Sequence, residues 1–192
     1  MNRRNLLPPA LAAACVLALA VAGCSPRATS FVHPNYDFGR LQRCALLPFQ
    51  NLSSDTNAGA RLQAVFLGEL LRHEGLAIVE PGETLAALRE LRLSVEEPLT
   101  PAQLGQLGQR LQCEGIFLGT VQEYGVESIG GGRAYKVTAD FALVETETGQ
   151  TIWKAQVHRG GGSVWRKLFG GESAGIYDVS RGAVREALGT LF

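Results

Sequence analysis

Histidine is scarce in this chain, three in 192 residues. His33, His73 and His158 fall on unrelated stretches, with none of the close spacing by which side chains gather a metal ion, so no metal site is expected. Of four cysteines, Cys15 lies in the apolar N-terminal run and Cys24 closes it, and the two that remain, Cys44 and Cys113, cannot make a disulfide framework. A clustered basic surface is also missing. Lys and Arg number 18 against 18 Asp and Glu, which argues against a nucleic-acid footprint. Acidic residues are absent before position 24, and that local absence is the most informative of all.

What stands in that acid-free stretch has the order of an export signal. Asn2, Arg3, Arg4 and Asn5 form a short basic region, and Leu6 to Ala22 is apolar apart from Pro8 and Pro9. The run closes on Val21-Ala22-Gly23-Cys24, small residues before a cysteine, which resembles the lipobox read by the lipoprotein signal peptidase. About 17 apolar residues with two early prolines sit at the lower limit for a transmembrane helix, so a removable signal is the better reading than an anchor. Residues 1–23 are therefore expected to be removed, with Cys24 becoming the lipid-bearing first residue. The resemblance implies a membrane-anchored protein, because each buried methylene of an acyl chain contributes roughly 0.8 kcal/mol. Ser25, rather than Asp, after the cysteine implies sorting to the outer membrane, with the domain in the periplasm. Removing residues 1–23 leaves 169 residues, enough for one domain with one core, carrying 16 basic and 18 acidic residues.

Residues 24–42 are rich in Pro, Ser, Asn and Arg, and are expected to form a tether whose aromatic part, with Phe31, Tyr36 and Phe38, packs onto the domain. The domain itself is expected over 43–192. Arg43 to Phe49 reads as a buried strand ending in a polar loop; a helix follows over about 57–73, and Leu76 to Val79 is a second short strand. Thr84 to Leu93 repeats Leu at helical spacing. Thr100-Pro101-Ala102-Gln103 combines a capping Thr, Pro at the first helical position and Gln placed to close a capping box. The helix it opens carries Gly105 and Gly108, which make sense where it lies close to a neighbour. From Gly115 the period changes to two: 116–124, 135–144 and 151–158 read as an antiparallel meander with one wet face. Turns fall at 130–132 and 147–150, and a final amphipathic helix follows a Gly-rich segment over 160–175. The expected fold class is α/β (α+β): a single domain with a mixed sheet in the order β-α-β-α-α-β-β-β-α, without internal repeats.

The stretches ALLPFQNLSSDTNAGARL, GLAIVEPGETLAALRELRL, LTPAQLGQLGQRLQCEGIFLGTVQEYG and FALVETETGQTIWKAQV resemble the periplasmic domains of CsgG-type and LpoB-type lipoproteins, which share a fold with the N-terminal domain of TolB. The likeness covers about residues 43–190 and is carried by pattern rather than by catalytic motifs. CsgG-type proteins form outer-membrane export pores and LpoB-type proteins activate peptidoglycan synthases. A pore needs additional membrane-spanning hairpins, and the meander here uses every strand available. The resemblance thus implies a non-enzymatic scaffold or accessory subunit of a CsgG-like envelope or export assembly, with an LpoB-like activator as the alternative. Envelope proteins, further copies of the chain and the outer membrane are the expected partners; no cofactor is expected.

Several stretches invite a chemical reading. Gly171-Glu172-Ser173-Ala174-Gly175 matches G-x-S-x-G, but no histidine follows Ser173 and no strand precedes it, so an esterase is a remote reading. Gly130-Gly131-Gly132-Arg133 lacks the Lys-Ser/Thr ending of a phosphate loop and reads as a hairpin tip. Glu145 and Glu147 flank a turn and are expected to be solvated. The loop 51–57 is the best-placed small-ligand contact, or else an ordinary helix cap. Cys44 and Cys113 stand at the starts of two strands that the family order makes neighbours, either disulfide-bonded or as two free thiols. Trp165, Leu168 and Phe169, set between glycine clusters beside Arg166 and Lys167, are expected to form a contact surface toward another copy or the membrane.

Overall fold

The computed structural model describes residues 28–129, 132–160 and 174–192. Seven strands form one mixed sheet: β1 (Thr29–Val32), β2 (Arg43–Leu46), β3 (Gln50–Asn51), β4 (Ala77–Ile78), β5 (Gly115–Ile129), β6 (Gly132–Glu145) and β7 (Thr151–Gly160). Among the described residues four α-helices accompany it: α1 (Ala58–Leu70), α2 (Pro81–Glu90), α3 (Pro101–Leu111) and α4 (Ile176–Leu188). The sheet runs β1-β7-β6-β5-β2-β4, with the two-residue β3 beside β5. β2 is parallel to β4 and β5, whereas β5, β6, β7 and β1 are antiparallel. The expected mixed α/β order is the observed one, with two strands added.

The additions have physical reasons. β1 comes from the N-terminal extension and pairs with β7 from Thr29–Gln156 to Val32–Trp153. All four of its residues are exposed, so no alternation marks it in the sequence. The aromatic part of the extension packs as expected, with Tyr36 and Phe38 edge-to-face at 5.0 Å against the core, while Phe31 stays outside. β5 and β6 overrun their expected ends, pairing as far as Ile129–Gly132.

Two cores lie on the two faces of the sheet. On one, α1 and α4 cover Phe117, Val121, Val137, Phe141, Leu143, Trp153 and Ala155, with Phe66 of α1 packed 4.9 Å from the Phe141 ring. On the other, α2 and α3 cover Ala45, Leu47, Ile116 and Val144. The capping box expected at Thr100 is formed: Thr100 Oγ1 accepts from the Gln103 amide at 3.3 Å, and Gln103 Oε1 accepts from the Thr100 amide at 2.8 Å. α3 ends at Gln112 in the left-handed conformation, φ 51°.

The close approach expected of α3 occurs at Gly108, where a Cβ would fall on the Thr146 side chain. Thr146 cannot step aside, because its hydroxyl donates to the Cys113 carbonyl at 2.8 Å and its amide donates to Glu114 O. Gly68, exposed on α1, has nothing within 4 Å of an added Cβ. Gly68→Ala should therefore stabilise the domain by about 1 kcal/mol through helix propensity. In Gly108→Ala the same gain is outweighed by overpacking of about 1–3 kcal/mol. Paired urea titrations check the opposite signs, and an equal shift in both variants would refute the packing account.

Candidate functional site

α2 and α3 lie over β2, β4 and the start of β5, and the remainder of that sheet face carries polar side chains from three strands. Glu123 sits at a register shift in β5 and accepts from Lys136 Nζ at 2.9 Å and from Thr138 Oγ1 at 2.8 Å. Thr138 Oγ1 lies 2.8 Å from His158 Nδ1 on β7. The hydrogen bond from Lys136, followed by that from Thr138, holds the Glu123 carboxyl below the usual carboxylate range, and Glu123 in turn raises Lys136. Beside them Gln122 Nε2 donates to Asp140 Oδ2 at 2.7 Å, while Asp140 Oδ1 is buried without a partner. These groups hold one another in place and present hydrogen-bonding atoms on a sheet face, an arrangement suited to contacting a polar partner.

The opposite face carries a cleft of about 510 Å³ between α1 and α4, lined by Arg61, Val65, Gly68, Arg72, Tyr124, Tyr177 and Arg181 among others. Arg185 Nε donates to Glu69 Oε2 at 2.8 Å and satisfies a carboxylate that α1 would otherwise bury alone. Arg181 lies over the Tyr177 ring at 5.6 Å and pairs with Asp178.

The loop after β3 is occupied with its own structure. Asn51 Oδ1 accepts from the Ser53 amide and hydroxyl, Asp55 Oδ1 accepts from the Asn57 amide, and Asp55 Oδ2 pairs with Arg61 at 3.0 Å. Its polar side chains bond within the loop and to Arg61, and the Asp55 carbonyl accepts from the Ala58 amide at the start of α1. Glu145, expected to be solvated, is buried: Thr148 Oγ1 donates to it at 2.7 Å, and Tyr36 of the N-terminal extension packs beside it. Burial and this carboxylate push the Tyr36 phenol up to about 12. Glu147 does lie outside, paired with Arg40.

The three histidines are far apart in role. His33 follows β1, His73 stacks on Phe192 at 4.2 Å, and His158 belongs to the sheet-face network. Among the described residues no group of His, Cys, Asp and Glu could hold a metal ion. No described helix is long and apolar enough to cross a membrane. Cys44 lies in β2 opposite Gly115, whose missing Cβ leaves room for the thiol, and Cys113 lies two residues before the start of β5. Both are buried free thiols, and they belong to the cores on opposite faces of the sheet. Burial pushes Cys44 well above the usual thiol range and Cys113 up to about 11. Cys24, Trp165, Leu168, Phe169 and Ser173 lie outside the described residues.

No protein-family model and no curated sequence matches the chain. Among solved structures it is similar to the PelC dodecamer from Paraburkholderia phytofirmans, at a TM-score of 0.53 and 16% identity, over 85% of this chain and 96% of that one. It is similar to lipoprotein GNA1162 from Neisseria meningitidis at a TM-score of 0.56 and 18% identity, over 77% and 98% of the two chains. The LpoB C-terminal domain from Salmonella enterica aligns at a TM-score of 0.48 and 12% identity, over 66% and 86%. The first two likenesses place the chain in the fold that PelC and GNA1162 share.

Proposed function

We propose that this protein is an outer-membrane-anchored periplasmic lipoprotein, held by a lipid on Cys24, that works without catalysis as a scaffold or accessory subunit of a CsgG-like envelope or export assembly. The observation that carries the reading is the coincidence of the Val21-Ala22-Gly23-Cys24 ending with a fold shared by PelC, a protein crystallised as a dodecamer, and by GNA1162, a lipoprotein. The polar sheet face and the arginine-edged cleft are surfaces for contact, and self-association is the form of contact the PelC likeness favours. Trp165, Leu168 and Phe169, joined to Arg166 and Lys167, are the proposed contact residues between copies. Sedimentation of the domain lacking Cys24 tests this. The wild type should sediment as an assembly, and Trp165→Glu with Phe169→Glu should return it to a folded monomer. A wild-type monomer at high concentration that also ignores liposomes removes the contact surface. Unfolding of the double variant would instead assign those side chains to the core.

A further inference from the structure

We infer that the arginine-edged cleft between α1 and α4 receives the acidic loop 94–98 of a second copy of this chain, so that copies associate head to tail. The inference deepens the proposed self-association and rests on it, though not on the contact residues named there. The cleft has a floor and a rim of different chemistry. Val65 and Gly68 give an apolar floor, and Gly68 keeps it open, since nothing lies within 4 Å of a Cβ added there. Arg61, Arg72 and Arg181 edge it beside the exposed Tyr177 ring. Arg61 Nη1 pairs with Asp55 Oδ2 at 3.0 Å, and Arg181 Nη2 reaches Asp178 Oδ1 only at 3.6 Å. Arg72 has no acidic partner among the described residues. A guanidinium carries several N–H donors, so this rim keeps donors for further carboxylates. Arg61 and Arg72 are eleven positions apart, about 16 Å at ~1.5 Å per residue along α1. That spacing favours an occupant with more than one anionic group over a single small anion.

The matching feature lies on the other face of the sheet. Glu96-Glu97 is the sole pair of adjacent acidic residues in the sequence. It stands in the connection between α2 and α3, exposed together with Pro98, and neither carboxylate has an ion-pair partner among the described residues. The loop is nevertheless held in shape. Gln50 Nε2 donates to the Glu96 carbonyl at 2.7 Å, the Glu96 amide donates to Ser94 Oγ at 3.2 Å, and Val95 and Leu99 pack on the core beneath α2 and α3. Two carboxylates are thus presented on an ordered backbone, which lowers the entropy cost of contact.

Because α1 and α4 cover one face and the loop packs on the other, one copy cannot close this contact on itself. A second copy can. A contact between two unlike patches leaves a free cleft at one end of the pair and a free loop at the other, so association either closes into a ring or continues as a chain. Charge sets the polarity: cleft against loop attracts, whereas cleft against cleft and loop against loop repel.

The test uses the full-length lipidated protein in excess non-ionic detergent, followed by sedimentation velocity over a range of concentration and salt. Two charge-reversed proteins are compared with the wild type: Arg72→Glu with Arg181→Glu in the cleft, and Glu96→Arg with Glu97→Arg in the loop, each checked for a native circular dichroism spectrum. The wild type should self-associate, more weakly at high salt. Each reversed protein alone should associate at least about tenfold more weakly, and an equal mixture of the two should recover association, because the acidic cleft then meets the basic loop. A folding defect would not give that recovery. Should either reversal fail to fold, Gly68→Leu replaces it: the added side chain fills the cleft, and it should keep at least the wild-type urea midpoint while weakening association by about tenfold or more. Reversed proteins that assemble as the wild type does overturn the cleft contact while self-association stands. A loss in the cleft variant that the loop variant neither shares nor restores assigns the cleft to a different acidic occupant and overturns the loop as its partner. A wild type that stays monomeric at every concentration removes the proposed self-association and this contact together.

Discussion

Replacing Trp153 with alanine should cost about 3–5 kcal/mol, a large part of the 5–15 kcal/mol that holds a domain of this size together. Trp153 is fully buried near the centre of the larger core, edge-to-face with Phe117 at 6.3 Å. It also ties the end of the chain to the sheet. Its indole N–H donates to Thr190 Oγ1 at 3.0 Å, and that hydroxyl donates to Ala187 O at 2.7 Å. Truncation opens a cavity between β7 and α4 and leaves the threonine without its donor. Trp153→Phe should lose less, and Thr190→Val, which removes only the hydrogen bond, about 1 kcal/mol. Urea unfolding followed by near-ultraviolet circular dichroism measures all three. A loss below about 1 kcal/mol for Trp153→Ala would mean that α4 is not fastened through this side chain.

The features readable in the sequence are those whose causes are local. Thr100, Pro101 and Gln103 make their cap within four residues, and the alternation of Tyr135, Val137, Ala139, Phe141 and Leu143 reflects a single strand's two faces. The start of α2 is less legible: Leu spacing points to Thr84, but Pro81 sits at the first helical position, three residues earlier. β1 is invisible because TSFV buries neither face, and it becomes a strand only by pairing with Lys154 and its neighbours more than a hundred residues away. Glu145 is misjudged for the same reason, since the Tyr36 that covers it arrives from the extension. The sheet-face network is more distant still. Glu123, Lys136, Thr138 and His158 become neighbours only once a register shift in β5 and two hairpin connections have aligned three strands.

Raising the pH should weaken the reduced protein by roughly 4 kcal/mol near about pH 10.5, through two thiols that play no part in any proposed contact. The cause is burial. Inside the folded domain Cys44 and Cys113 resist losing a proton, Cys113 up to about 11 and Cys44 beyond, whereas in the unfolded chain each ionises near 9.0. A folded-state value raised above the unfolded one means that stability is intact below 9.0 and falls as the pH climbs toward the folded value. Each thiol then contributes a loss of about 2 kcal/mol by about pH 10.5. Tyr36, shifted from 10.0 to about 12, adds to the loss in the same direction at the upper end of the range. Urea midpoints at neutral and alkaline pH, with reductant present, should separate far more for the wild type than for Cys44→Ala with Cys113→Ala. An equal separation in both would assign the alkaline loss to other groups. The same burial makes the native thiols slow to alkylate, since the shift in Cys113 alone lowers its thiolate fraction about 100-fold at mildly alkaline pH. Unfolded without reductant, the protein should take up two labels per chain. Uptake of none would place a disulfide between residues 44 and 113 and remove the alkaline effect at its source.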